Sequence, residues 1–97
     1  MKSFILTQKA RVDMIAIGRY TRREWGKTQQ RRYLSQLDAA FHDLADKPEI
    51  GHTCGEIRAD YYKYGVGKHV IFYHYREKDQ IEIARILHGR IDIEQHL

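Results

Sequence analysis

The chain has 97 residues, a formal net charge of +4, 42% hydrophobic and 11% aromatic residues, and one proline. This composition excludes a disordered chain and predicts one folded domain over residues 1–97, with a single small core. Because Cys54 is the only cysteine, no intramolecular disulfide can form, and no apolar run approaches the roughly 20 residues of a membrane span. We therefore expect a cytoplasmic protein.

The first half of the chain is predicted to hold a short strand and two helices. Residues 3–7 form an apolar run typical of an edge strand. The next apolar positions recur at helical spacing as far as Trp25, and Gly26 is a natural helix end. A second helix is predicted over residues 27–45. Because the connection is so short, the two helices should form an antiparallel hairpin.

The second half of the chain has strand character. After a glycine-containing loop over residues 49–56, aromatic and β-branched residues fill 57–64 and 68–76, and the glycine-flanked connection between them predicts a β-hairpin. Another strand is predicted over residues 80–87, followed by a final helical turn within 89–97. This order predicts the α+β class, with a two-helix hairpin packed on one face of an antiparallel sheet of three to four strands.

One face of the last predicted strand carries a single charged residue among apolar ones. Strict alternation places Ile81, Ile83 and Leu87 on one face of the sheet, together with Arg85. A structural interpretation pairs this arginine with an acid such as Asp60.

The densest charge cluster surrounds the predicted turn between the helices. Its six cations are opposed only by Glu24: Arg19, Arg22, Arg23, Lys27, Arg31 and Arg32. Such a cluster can bind phosphates or a carboxylate-rich protein surface, and it can equally be a solvated helical tip. Trp25 lies within it, either as an exposed interface anchor or as a cap on the core between the helices.

A second group of residues lies at the end of the last strand. It comprises Arg85, His88, Arg90, Asp92 and His96, with Arg58 expected nearby across the sheet. Arginine and histidine together can stabilise charge and transfer protons during RNA cleavage. The six histidines and the lone cysteine lack metal-ligand spacing, and the chain has no GxGxxG, P-loop or GxSxG motif, so no metal or other cofactor is predicted.

Three features in order resemble a known family. They are Trp25-Gly26 between two helices, the segment GEIRADYYKYGVGKHVIFYHY over residues 55–75, and RILHGRID over residues 85–92. Together they resemble the RelE/ParE toxins of bacterial type II toxin–antitoxin modules over essentially the whole chain, and the ParE-like members most closely. The resemblance implies a helical hairpin on an antiparallel sheet and a cognate antitoxin that wraps the toxin.

Two activities occur on this fold, so the resemblance leaves a choice of target. RelE-like toxins cleave messenger RNA on the ribosome, whereas ParE-like toxins inhibit DNA gyrase. The helical hairpin and the ending over residues 88–92 are more similar to ParE. They imply a non-enzymatic gyrase inhibitor that forms a hetero-oligomer with a ParD-like antitoxin and does not itself bind nucleic acid directly.

The same resemblance suggests site residues for each activity. For binding the antitoxin or the target we expect Arg58, Arg85, His88, Arg90 and Trp25 to contribute. The alternative, a RelE-like ribosome-dependent endoribonuclease, would use His88, His96, Arg58 and Arg85 as catalytic residues.

Overall fold

The computed structural model describes residues 2–55 and 58–89. Within these ranges the chain forms five strands, two α-helices and one short 3-10 helix. In chain order these are β1 (Ser3–Leu6), α1 (Gln8–Trp25), α2 (Lys27–Asp46), the 3-10 helix Pro48–Ile50, β2 (His52–Thr53), β3 (Tyr62–Val66), β4 (His69–Glu77) and β5 (Gln80–His88).

The helical hairpin begins and ends at residues with clear local roles. The Thr7 hydroxyl caps α1 by accepting a hydrogen bond from the Ala10 backbone N–H at 3.0 Å. Gly26 separates the two helices at φ +89°, a backbone conformation that glycine adopts without a Cβ penalty. Both helix boundaries therefore follow the predicted ones closely.

The sheet has the order β1-β5-β4-β3-β2, and the helices lie on one of its faces. The predicted fold class is confirmed, but the sheet has five strands rather than three to four. The predicted edge strand β1 runs parallel to β5, with Leu6 opposite Ile83, whereas the other pairs are antiparallel. Local patterning could not show this pairing, because the two strands lie at opposite ends of the chain and the helices provide the crossover.

Two apolar clusters cover the two faces of the sheet. The larger one joins the helices to the sheet, with Leu37, Phe41 and Ile71 fully or almost fully buried. The smaller one lies on the opposite face and contains Cys54, Phe72 and Leu87. Among the described residues, neither helix is long and apolar enough to cross a membrane.

A β-bulge in the β4–β5 pair changes the predicted alternation. The register slips between Phe72 and Tyr73, whose partners are Arg85 and Ile83. The extra residue in β5 reverses which of the following side chains point to each face of the sheet. Ile86 therefore joins the core on the helix side, and Leu87 joins the cluster on the opposite face. The prediction that Leu87 shares a face with Ile81 and Ile83 is therefore wrong, because strict alternation assumes an unbroken ladder.

The segment before β3 is more structured than predicted. The predicted loop over residues 49–56 contains β2 and part of the 3-10 helix, and β3 begins only at Tyr62. A turn precedes it, with Asp60 at φ +66°. The helical turn predicted for the C-terminal tail falls largely on residues 90–97, which lie outside the described residues.

Candidate functional site: a groove between α1 and β5

A groove of about 790 Å³ opens between α1 and the end of β5. We call it the α1–β5 groove. Its walls come from α1 between Asp13 and Trp25, the first half of α2, the β3–β4 turn and the last residues of β5. The lining residues used below are Asp13, Ile17, Tyr20, Trp25, Tyr33, His69, Arg85, Ile86 and His88.

The groove exists because β1 is shorter than β5. The last β1 residue, Leu6, pairs with Ile83, so the rest of β5 extends beyond its strand neighbour. The chain turns into α1 at this point, and the Thr7 hydroxyl donates a hydrogen bond to the Ala84 carbonyl at 2.7 Å. The end of β5 consequently faces the side of α1 instead of another strand.

An ion pair joins the two walls of the groove. Asp13 on α1 accepts hydrogen bonds from Arg85 Nε at 2.8 Å and from a terminal nitrogen of the same guanidinium at 2.9 Å. It also accepts one from the Ile86 backbone N–H at 3.0 Å. The Arg85 and Asp13 side chains are only 17% and 12% exposed, and the bond to Asp13 raises the pKa of Arg85 above its usual value. This two-point geometry fixes the guanidinium against α1.

A tyrosine and two histidines form the far wall of the groove. The Tyr33 hydroxyl lies 2.6 Å from His69 Nδ1 and 3.2 Å from the Val66 carbonyl oxygen, to which it donates a hydrogen bond, and it accepts one from the Lys68 N–H. The rings of His69 and His88, opposite each other on β4 and β5, are 5.6 Å apart in an edge-to-face arrangement. These contacts fix the position of the His69 ring.

Burial changes the pKa values of Tyr33 and His69 in this cluster. Desolvation, followed by the charge of His88, lowers the pKa of His69 below 6.5, although Asp13 acts in the opposite direction. Burial likewise raises the pKa of the Tyr33 hydroxyl. Both shifts favour the neutral forms of Tyr33 and His69 near pH 7.

Comparisons with known proteins agree on one family. A family model described as "ParE toxin of type II toxin-antitoxin system, parDE" matches residues 4–93. The chain belongs to this ParE toxin family. It is 34% identical over 94 residues to Toxin ParE1 of Mycobacterium tuberculosis, covering 97% of this chain and 96% of that protein. It is 33% identical over 97 residues to Toxin ParE1 of Caulobacter vibrioides, covering 100% and 99% of the two chains.

A solved structure shares the fold of this ParE family member. The structure, titled "Chromosomal ParDE TA system from P. aeruginosa", matches with a TM-score of 0.77 and covers 91% of this chain and 96% of its own. At 17% sequence identity the match supports the architecture alone. The resemblance noted in the sequence is thereby confirmed at the level of family and fold.

The structure brings together three of the site residues predicted for this ParE family member. Trp25, Arg85 and His88 all line the α1–β5 groove. Trp25 is 67% exposed and therefore does not cap the core between the helices. Arg90 and His96 lie outside the described residues.

Arg58 lies elsewhere. Its guanidinium carbon is 5.5 Å from the ring centre of Tyr61, which packs against the cluster on the opposite face of the sheet. Tyr61 in turn stacks on His74, whose Nε2 lies 2.9 Å from Glu82 Oε1. Arg58 thus belongs to a separate surface from the groove.

The sequence prediction missed three residues that shape the groove: Asp13, Tyr33 and His69. It suggested Asp60 as the partner of Arg85, but Asp13 occupies that position. Two signals were available. Helical spacing places Asp13 at the margin of the apolar face of the first helix, and Arg85 lies on an apolar face of the last predicted strand. Two buried opposite charges in one small core are expected to pair. No sequence signal relates Tyr33 to His69, which lie 36 residues apart.

The groove offers mainly contact surface. Its aromatic residues Tyr20 and Trp25 are 53% and 67% exposed, and the groove is also lined by the buried residue Ile17. Within residues 2–55 and 58–89, no group of three or more histidine, cysteine or acidic side chains is placed to hold a metal ion. An open apolar groove with aromatic walls is a surface suited to binding a protein segment.

Proposed function

We propose that this chain is a toxin that inhibits DNA gyrase and is neutralised by a ParD-like antitoxin seated in the α1–β5 groove. The observation that carries the proposal is the open groove itself, with exposed Trp25 and Tyr20 on a chain of the ParE toxin family. Both partners of such a toxin would be met in the cytoplasm, which is where we place its action.

The aromatic residues support the binding role. Large exposed aromatic side chains at a groove are the residues that contribute most to protein–protein affinity, because each buries a large area at a small cost in side-chain entropy. Trp25 exposes two-thirds of its surface in the unbound chain, and a partner in the groove would bury this exposed surface. We therefore assign Trp25 as the principal anchor of the groove.

The predicted cationic anchors divide between two surfaces. Arg85 and His88 face the groove, whereas Arg58 lies on the other side of the sheet. One antitoxin segment that contacts all three would have to pass around the molecule, as a wrapping antitoxin does. We propose the groove as its main contact and the surface around Arg58 as a second one.

The hydrogen bonds of Arg85 support a role for the groove in binding and not in catalysis. Its Nε and a terminal nitrogen both donate to Asp13, and the pair is largely buried. An arginine that stabilises a reacting phosphodiester needs donors directed at that group. We therefore assign Arg85 a positioning role between α1 and β5.

A gyrase assay tests the target. Purified gyrase is incubated with relaxed plasmid, ATP and increasing toxin, and both supercoiling and cleaved DNA are measured. We expect supercoiling to fall and cleaved complex to accumulate, and addition of the cognate antitoxin to reverse both. Unimpaired supercoiling at micromolar toxin, together with arrested translation in a cell-free system, would refute gyrase as the target.

The Tyr33–His69–His88 cluster favours one alternative, a ribosome-dependent endoribonuclease. A neutral histidine held by a tyrosine hydroxyl at 2.6 Å and facing a second histidine is a possible proton-transfer site. This alternative predicts that His69→Gln and His88→Gln lose messenger cleavage on ribosomes while still binding antitoxin. Intact messenger after toxin expression would exclude it.

A further inference from the structure

The net positive charge of the chain is concentrated at the tip of the helical hairpin. Residues 19–32 hold six cations and one acid, a net of +5, whereas the other 83 residues hold 11 cations and 12 acids, a net of −1. We call this segment the hairpin tip. The fold therefore has a basic end on an otherwise nearly neutral molecule.

All six cations of the hairpin tip are exposed. Arg23 lies 3.6 Å from Glu24, the one acid of the tip, and the two side chains are 70% and 46% exposed. The guanidinium carbon of Arg23 also lies 5.5 Å from the centre of the Tyr20 ring. An exposed pair of this kind neutralises little of the surrounding field.

Folding accounts for only two of these charges, because Arg22 and Arg23 lie in the last turn of α1, where cations suit the helix dipole. Arg19 and Arg23, like Lys27 and Arg31, are like-charged residues four positions apart on one helix, an arrangement that destabilises a helix slightly. Lys27 also lies at the N-terminus of α2, where the first turn has no acidic residue and no side-chain cap. Cations at this end oppose the helix dipole. Local conflicts of this kind are expected at functional surfaces.

We propose that the hairpin tip binds the phosphate backbone of duplex DNA. The cations lie on two antiparallel helices, whose axes pack about 8–10 Å apart. Because a DNA duplex carries one charge per about 1.7 Å of its axis, a patch of this width meets several phosphates at once. Five of the six cations are arginines, which bind phosphate oxygens through two parallel hydrogen bonds.

Duplex DNA fits the hairpin tip better than the other polyanions. The centres of protein interfaces are depleted of charge, and the exposed large apolar residues of the hairpin tip, Tyr20 and Trp25, line the α1–β5 groove. Single strands are bound by a succession of aromatic stacking surfaces, and one face of Tyr20 is approached by Arg23. The proposal departs from the expectation that the toxin alone does not bind nucleic acid, and it does not depend on the proposed target.

The test is fluorescence anisotropy of a labelled 20-base-pair duplex of mixed sequence, titrated with the full chain over a range of salt concentrations. The variant Lys27→Gln/Arg31→Gln removes two tip charges whose loss relieves repulsion in α2. The matched control, Lys47→Gln/Lys78→Gln, removes two exposed charges outside the tip. Thermal unfolding of each protein verifies that it is folded.

We expect the unmodified chain to bind the duplex with a strong salt dependence. The tip variant should bind about tenfold more weakly, and the slope of log K against log salt should fall by about 1.8, or about 0.9 for each phosphate that is no longer neutralised. The control should keep the slope. No binding, equal slopes for the two variants, tighter binding to a single strand, or displacement by polyglutamate at equal charge would each overturn the proposal. The last result would indicate an acidic protein partner instead.

Discussion

The carboxylate of Asp13 on α1 holds both the guanidinium of Arg85 and the backbone N–H of Ile86 on β5, at distances of 2.8 to 3.0 Å. It therefore supplies the acceptor that β1 would supply if it continued past Leu6. A single acidic side chain thus completes the edge of the sheet, neutralises a largely buried arginine and fixes the distance between the walls of the groove.

Asp13→Asn should destabilise the fold by about 3 kcal/mol, because it leaves a mostly buried arginine without its counter-ion. Urea unfolding at neutral pH measures the change. Asp38→Asn is the control, since Asp38 is 61% exposed and its carboxylate lies 3.5 Å from the His42 ring nitrogen Nε2. A loss for Asp13→Asn no larger than that of the control would mean that solvent screens the Asp13–Arg85 pair.

Trp25→Ala should weaken antitoxin binding and leave the fold intact. The side chain is 67% exposed, so the free energy of unfolding should change by no more than about 0.5 kcal/mol. Loss of a binding anchor should reduce affinity by about 30-fold, or about 2 kcal/mol. Calorimetric titration with the cognate antitoxin measures this. Tyr75→Ala, which removes a 49% exposed aromatic outside the groove, is the control, and an equal loss in both variants would contradict the assignment.

Stability should fall as the pH is lowered below the usual histidine pKa of 6.5. The folded chain lowers the pKa of His69, so the unfolded chain binds more protons as the pH drops from about 6.5 toward the folded value. The stability contributed by neutral His69 is complete above 6.5 and is lost through that window. Urea unfolding between pH 7.5 and about 5 should show this slope.

His69→Gln should flatten the pH dependence, whereas His42→Gln, at a side chain 68% exposed, should not. An NMR titration of the His69 ring checks the cause directly. A midpoint at or above 6.5 would show that burial does not control its protonation.

Gly67→Ala should destabilise the β3–β4 turn by about 1–3 kcal/mol. Gly67 has φ +56°, and an added Cβ would lie 2.8 Å from the ring of Tyr33. The substitution should also disturb the Tyr33–His69 contact and move the His69 titration. Gly65→Ala is the matched control, because a Cβ there meets nothing within 4 Å. Equal melting temperatures for the two variants would contradict this account.

The helices and most of the strands could be predicted from local patterns. Apolar spacing identified both helices, and the glycine between them identified the hairpin, because these signals act over a few residues. The bulge opposite Phe72 could not be predicted in this way, since a one-residue slip between strands leaves no mark on the composition of either strand. It moved Leu87 and Ile86 to the faces opposite those that alternation assigned.

The sequence was also sufficient for the family resemblance and for the basic hairpin tip, because both depend on residue identity and order along the chain. The tertiary structure alone revealed the α1–β5 groove, whose open edge results from the early end of β1. It likewise paired Asp13 with Arg85 across 72 positions and Tyr33 with His69 across 36. Contacts over such separations form only when the sheet and helices pack together, since no local interaction brings these residues near one another.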